Sequence, residues 1–285
     1  MIFSVFANLN NNETKAIARE VLDVLKDTDC RIYFDEKYYD VISNENCEFL
    51  SSAELMQACD IAIVVGGDGT TMKIAKKAAI LGKPTLGING GRLGFLSGIE
   101  RNELNLLKDV IEGKYQLEER MMLKAEIIEN EKAVKTFHCL NDAIFSRGDF
   151  ARLIDIKVTS NGRELLDTRA DGVIVSTPTG STAYSLAAGG PVLSPDLNCF
   201  EVTSICPHSL MDRSIVVSSD NQLTVETISD VSNNAILTCD GEPPVDISAN
   251  TSVIISLSPY KARLVKIKPD NFYEVMKKKL IERRA

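Results

Sequence analysis

The sequence predicts an α/β domain with a parallel sheet, then a β-rich domain, and a last helix that returns to the first. Three observations predict this. Up to about residue 115, unbroken apolar runs alternate with stretches of helical periodicity; from Leu117 onward apolar residues recur at every second position; and residues 271–284, NFYEVMKKKLIERR, revert to an amphipathic helical pattern. The corresponding boundaries are 1–116 for the α/β domain, 117–266 for the β-rich domain and 267–285 for the returning helix.

In the first domain the strand IFSVFA precedes ETKAIAREVLDVLK, which puts Ile17, Val21 and Leu25 on one helix face. RIYF is the next strand, and SSAELMQAC opens with a Ser51/Glu54 capping box. IAIVV, the helical TMKIAKKAAILG, the strand PTLGIN and the helix NELNLLKDVIEG complete the series. Apolar runs without alternation, separated by helices, mean a parallel sheet covered on both faces. In the second domain LIDIKVT and QLTVETI alternate strictly, and SNGR at 160–163 supplies the Asn-Gly of a type I′ hairpin turn. One helical interruption is expected near GSTAYSLAAGG.

The chain has 285 residues, 44% hydrophobic and 25% charged, a globular balance long enough to bury a substantial core. A net charge of -8 argues against nucleic acid or an anionic membrane as partner, because both require a basic face. Seven scattered cysteines with no C-x-x-C pair suit reduced thiols in the cytoplasm. The segment MIFSVFANLN lacks a basic leader, and no run approaches the ~18 apolar residues of a membrane span, so a soluble, unexported protein is expected. His138 and His208 are the only histidines, leaving few members for a zinc site or a Ser-His-Asp triad.

The turn VVGGDGTT at 64–71 follows a buried strand and opens a helix near Thr70, where phosphate binds in open α/β folds. It is neither a Walker loop nor a dinucleotide fingerprint, since no G-x-x-x-x-G-K-[ST] exists and Met72 stands where the third glycine of G-x-G-x-x-G would be. A carboxylate, Asp68, sits where an anion should bind. It makes sense there if it accepts the proton of an attacking hydroxyl or holds the cation that neutralises the phosphates; the plainer reading is a turn residue capping the next helix.

Three further stretches supply what phosphoryl transfer needs. LNDAIF places Asn141 beside Asp142, an amide and a carboxylate suited to vicinal ribose hydroxyls and a base edge, or a plain loop entry. RADGVIVSTPTGSTAYSLAAGGP at 169–191 joins an Arg/Asp pair to a buried strand and then to small and hydroxyl residues, which allow close backbone approach to a ligand or form a surface loop. CDGEPP at 239–244 adds a second Asp-Gly, either a turn or a site.

With GGDGT, GINGGRLGFL, LNDAI, DGVIVSTPTGSTAYSLAAGGP, CPHSL and CDGE in this order over nearly its whole length, the chain resembles the NAD kinase family. GGDGT alone is shared with diacylglycerol-type lipid kinases and, more loosely, phosphofructokinases. The resemblance implies transfer of the terminal phosphoryl group of ATP, or in some members polyphosphate, to the adenosine 2′-hydroxyl of NAD with a divalent metal, Mg2+ by expectation. It also implies an N-terminal α/β domain, a C-terminal β-sandwich-like domain and a homodimer or homotetramer. Carried onto this sequence, it makes Asp68 the general base and Gly69 its neighbour at the phosphates. Asn141 and Asp142 become the adenosine-binding pair, and Phe95 packs near the adenine. Arg152 takes a ligand-contacting position, Arg169 and Asp171 form the pair before the buried strand, and Asp240 falls on the late Asp-Gly. Thr182, Ala183, Tyr184, Ser185, Leu186 and Ala187 line the NAD pocket. No protein ligand set for a metal is implied.

Two positions depart from the family pattern. Asp142 stands where the family usually has Glu, shortening the reach to ribose by one methylene, and Glu242 replaces the common Gln, adding a negative charge that is unfavourable beside an anionic ligand unless it faces an arginine. Two rival readings are a GGDGT lipid kinase, which leaves the STPTGSTAYS and LNDAI stretches without a nucleoside to bind, and a catalytically silent NAD sensor, against which Asp68 itself speaks.

Overall fold

The computed structural model describes residues 1–285 except 43–45, 91–93, 149–151, 229–234, 249–250, 270–271 and 283–285. Residues 91–93 of the GINGGRLGFL motif, and Asn271 and residues 283–284 of the last helical stretch, therefore lie outside the described residues. The chain divides into two compact units, residues 1–119 with 261–285, and residues 120–260.

The first unit contains β1 (Ile2–Ala7), α1 (Asn12–Leu25), β2 (Arg31–Asp35), α2 (Tyr39–Ile42), β3 (Glu48–Leu50), α3 (Ser52–Ala58), β4 (Ile61–Val65), α4 (Asp68–Ile80), β5 (Pro84–Asn89), β6 (Ser97–Glu100) and α5 (Leu107–Ile111). All pairings in the order β6-β5-β4-β1-β2-β3 are parallel, with Val5 opposite Ile63 and Ile63 opposite Leu86. Every residue of β4 is buried, as an unbroken apolar run on a two-sided sheet requires. Helix α1 buries Ile17, Val21 and Leu25, and its Asn11 N-cap accepts from the amides of Glu13 and Thr14 at 2.9 and 3.2 Å. The Ser51/Glu54 capping box of α3 is present in both directions. A core of Phe3, Phe34, Ile61, Ile63, Leu86 and Ile88 with the α1 side chains holds the layers together.

The expected helix NELNLLKDVIEG is interrupted. Residues 101–106 form a 3-10 turn, and only Leu107–Ile111 is α-helical. Glu103 sits at φ -120, ψ 16 because its carboxylate accepts the Glu100 amide at 3.0 Å and Lys268 Nζ at 2.5 Å, a tertiary tie that overrides helical propensity.

The second unit follows with β7 (Gln116–Glu129), β8 (Lys132–Cys139), β9 (Asp142–Arg147), β10 (Ile154–Ser160), β11 (Arg163–Ala170), β12 (Gly172–Ser176), α6 (Tyr184–Ala187), β13 (Cys199–Ile205), β14 (Ile215–Ser218), β15 (Leu223–Thr227), β16 (Ala235–Cys239), β17 (Val245–Ile247) and β18 (Ser252–Lys266), whose residues from Lys261 on belong to the first unit together with α7 (Phe272–Glu282). One antiparallel sheet runs β14-β13-β12-β9-β16-β17. Antiparallel pairing also joins β11, β10, β15 and the start of β18. Phe145, Val173 and Phe200 of the first sheet share a core with Ile156, Val158, Val225 and Ile255 of the second, which makes the unit a sandwich. Asn161 and Gly162 take φ 50 and 77, the left-handed pair that a type I′ turn demands.

Strand β6 fits its place only because Gly98 has no side chain. A Cβ there would lie 2.6 Å from the carbonyl oxygen of Val265 and 2.8 Å from Leu86 Cδ1. Gly98→Ala is expected to lower the urea midpoint, corresponding to about 1 to 3 kcal/mol of overpacking. An unchanged midpoint would show that the strand shifts freely.

Candidate active site

The helix after the glycine turn begins at Asp68, two residues earlier than the sequence suggested, with Gly67 as an N-cap that offers no side chain. Asp68 therefore does not cap α4. Its carboxylate turns instead to the segment before β6, where Oδ2 accepts the Phe95 amide at 3.0 Å and Oδ1 the Leu96 amide at 3.1 Å. Lys279 of α7 donates to Oδ2 at 2.8 Å, and the same ammonium lies 4.1 Å from the centre of the Phe95 ring. Gly94 is the residue that lets this happen. A Cβ on it would fall inside contact distance of Asp68 Oδ1 and 2.6 Å from Ser97 Oγ. Phe95 also meets Phe272 of α7 with ring centroids 5.9 Å apart. The turn thus presents Asp68 and Gly69 at the open end of a helix, with the acid fixed by charge-assisted hydrogen bonds.

In the second unit the late Asp-Gly is both turn and anchor. Asp240 and Gly241 take φ 49 and 67 between β16 and β17, and the Glu242 amide closes the turn on Cys239 at 2.9 Å, a type I′ hairpin. That geometry aims the buried Asp240 carboxylate at the LND bend, where it accepts the amides of Leu140, Asn141 and Asp142 at 2.8, 2.8 and 3.1 Å. The Asn141 carbonyl accepts the Thr177 amide at 2.8 Å, and Thr177 Oγ1 donates to the Leu140 carbonyl at 2.6 Å. Gly180 is packed so tightly on the Asn141 carbonyl that a side chain has no space. Asp240, Asn141, Asp142 and the STPTG segment are thereby brought together. Burial, and next the Asp240 carboxylate, push the Asp142 carboxyl up to about 7.

The small-residue segment has a buried and an exposed face. Ser185 donates to Glu201 Oε1 at 2.6 Å, and Thr203 reaches the same oxygen at 2.9 Å. Glu201 is wholly buried, burial pushes its carboxyl up, and Oε2 has no hydrogen-bond partner among the described residues. Gly190 must be glycine because its Cβ position is filled by that carboxyl group. Thr182 is buried, Ala183 and Leu186 are half-buried, and Tyr184 and Ala187 face outward. Arg169 and Asp171 do not pair with each other. Asp171 binds Arg147 at 2.7 Å, while the exposed Arg169 lies 3.9 Å from Asp155, which stands directly opposite it on the paired strand β10. Arg152 is exposed and Glu242 half-buried.

Sequence reasoning missed Lys279, Arg147 and Glu201. Each meets its partner across a long or unpatterned separation, so no local motif marks it. Among the described residues no group of three or more His, Cys, Asp or Glu could hold a metal. All seven cysteines are free thiols.

The Asp142 shift has a definite consequence for pH dependence. Below pH ~4 the carboxyl is protonated folded and unfolded; between ~4 and ~7 only the unfolded chain ionises, so stability from this group falls as pH rises, by on the order of 4 kcal/mol before levelling off. Asp142→Asn should remove that loss, so that the variant gains on the wild type steadily from pH 4.5 to 7.5 in urea unfolding. A constant difference across that range would contradict the buried, raised carboxyl.

Residues 3–115 match the family described as ATP-NAD kinase N-terminal domain, and residues 140–267 the ATP-NAD kinase C-terminal domain. Among curated relatives, an NAD kinase of Desulforamulus reducens is 38% identical over 96% of this chain and 95% of its own length. One of Symbiobacterium thermophilum is 44% identical over 78% of each chain. Among solved structures, an NAD kinase from Archaeoglobus fulgidus in complex with ATP superposes with a TM-score of 0.75 at 26% identity, covering 96% of both chains. Yeast NADH kinase complexed with NADH shares the fold with a TM-score of 0.86 at 24% identity over 96% of this chain and 85% of its own. The two domain matches, in order and together spanning most of the sequence, show that this chain belongs to the NAD kinase family of phosphotransferases acting on a hydroxyl group.

Proposed function

We propose that the protein transfers the terminal phosphoryl group of ATP to the 2′-hydroxyl of the adenosine ribose of NAD, giving NADP. The observation that carries this reading is a carboxylate, Asp68, held by the Phe95 and Leu96 amides at the start of α4. A ribose hydroxyl ionises far above the range of any carboxylate, so Asp68 takes the proton only as the oxygen–phosphorus bond forms. The bond to the ADP oxygen breaks, ADP leaves with the electron pair, and Asp68 passes the proton to solvent. Alignment provides much of the acceleration, up to about 7 to 11 kcal/mol in favourable cases.

Asn141 and Asp142 receive the adenosine hydroxyls and base edge, on a bend set by Asp240. Burial holds the Asp142 carboxyl up at about 7, so near neutral pH it can donate as well as accept. Phe95 offers a ring face to the adenine. Thr182, Ala183, Tyr184, Ser185, Leu186 and Ala187 border the dinucleotide, Arg152 and Arg169 are exposed cations for its phosphates, and Asp171 orients Arg147. Glu242, half-buried just past the late Asp-Gly, borders the same region. Magnesium would be held mainly by the phosphate oxygens of the nucleotide, keeping several of its waters and needing at most one or two carboxylates of the protein. When bound it would supply the positive charge that neutralises the phosphate oxygens. The seven free thiols accord with the cytoplasm, and no helix among the described residues is long and apolar enough to cross a membrane. Leu210 and Met211, 90% and 83% exposed, provide apolar surface that a homodimer or homotetramer contact would cover.

Purified protein incubated with NAD, ATP and magnesium should form NADP, read with an NADP-specific dehydrogenase, and parallel reactions with polyphosphate decide the donor. No NADP with either donor would overturn the reading; phosphorylation of diacylglycerol, or NAD binding alone, would replace it. Asp68→Asn should keep the fold and NAD binding while kcat falls by about 10²-fold or more. Near-normal turnover in that variant would remove Asp68 from the base role.

A further inference from the structure

A carboxylate at a phosphate-binding helix start repels the ligand that the turn is built to hold, and the structure shows what offsets it. Lys279 Nζ stands 2.8 Å from Asp68 Oδ2, with side chains 18% and 31% exposed. The lysine is fixed twice, by this ion pair and by the Phe95 ring at 4.1 Å, while Phe272 of the same helix packs on that ring. A carboxylate has roughly four lone-pair directions. Phe95 N and Lys279 Nζ occupy Oδ2 and Leu96 N occupies one direction of Oδ1, so among the described residues one direction of Oδ1 is left open.

We propose that Lys279 is a positioning residue for phosphoryl transfer: it fixes which oxygen of Asp68 faces the acceptor hydroxyl and cancels the charge that would otherwise oppose the phosphate chain. The inference rests on the proposed function, since it assigns Lys279 a part in that reaction. It differs from a simple tether of α7 to the first unit. A tether predicts lost thermal stability with unchanged kinetics, because a partly exposed ion pair by itself contributes little.

The test compares wild type, K279M, K279R, D68N and D68N/K279M by kcat, by KM for ATP, and by calorimetric titration with magnesium and β,γ-imido-ATP. K279M should lower kcat at least about tenfold and weaken imido-ATP binding by a similar factor, the range for loss of a charged hydrogen bond. K279R should recover most of both. In the D68N background, where an amide replaces the charge, K279M should change imido-ATP affinity by less than about twofold, the signature of two residues acting as one unit. If K279M does not fold, K279Q provides the same comparison with a polar stem. The inference is overturned if the neutral variant keeps kcat and imido-ATP affinity within about twofold of wild type, or if it weakens binding equally in the wild-type and D68N backgrounds. A wild type that makes no NADP overturns the proposed function instead, whereas a wild type that makes NADP beside an unaffected K279M overturns this inference alone.

Discussion

Carboxylates that accept backbone amides are the constraint on which the glycine turn of the first unit and the LND bend of the second each depend. Asp68 gathers the Phe95 and Leu96 amides, and Asp240 gathers those of Leu140, Asn141 and Asp142. Each N–H lies where the chain leaves regular pairing, and an unmet buried amide costs about 1 to 3 kcal/mol. Charge-assisted acceptance gives these segments one shape. The glycines follow from this arrangement: Gly94 and Gly180 bring backbone within reach of the anchored atoms, where any Cβ would displace them.

The two acids next to each other in the second unit show how environment separates chemically equal groups. Asp240 accepts three backbone amides, which hold its carboxylate in one place. Asp142, one bend away, is buried and faces that charge, so its proton is retained to near neutral pH. One side chain is a fixed acceptor and the other is a convertible one, although the sequence presents both simply as aspartate.

The fold was legible because it rests on periodicity. The unbroken run IAIVV, the Ile17/Val21/Leu25 face and the Asn161-Gly162 turn each carry their structure within a few residues. The break at Glu103 was not legible, because Lys268, which bonds its carboxylate, lies far along the chain. At the site, spacing and family resemblance pointed to Asp68, the LND bend and the late Asp-Gly. They did not reveal that Asp240 is an anchor of backbone, that Asp171 answers Arg147 rather than Arg169, or that a lysine from the last helix meets Asp68. Those facts belong to tertiary proximity, which no local pattern encodes.

The hidden acid beneath the small-residue segment has its own implication. Glu201 meets Ser185 and Thr203 with one oxygen, leaves the other without a described partner, and fills the space that a side chain on Gly190 would need. A neutral carboxylic acid tolerates such a place far better than an anion does. Burial pushes the Glu201 carboxyl up, toward its neutral form, and glutamine, equal to it in shape, is the replacement that would keep the floor under Tyr184 and its neighbours filled.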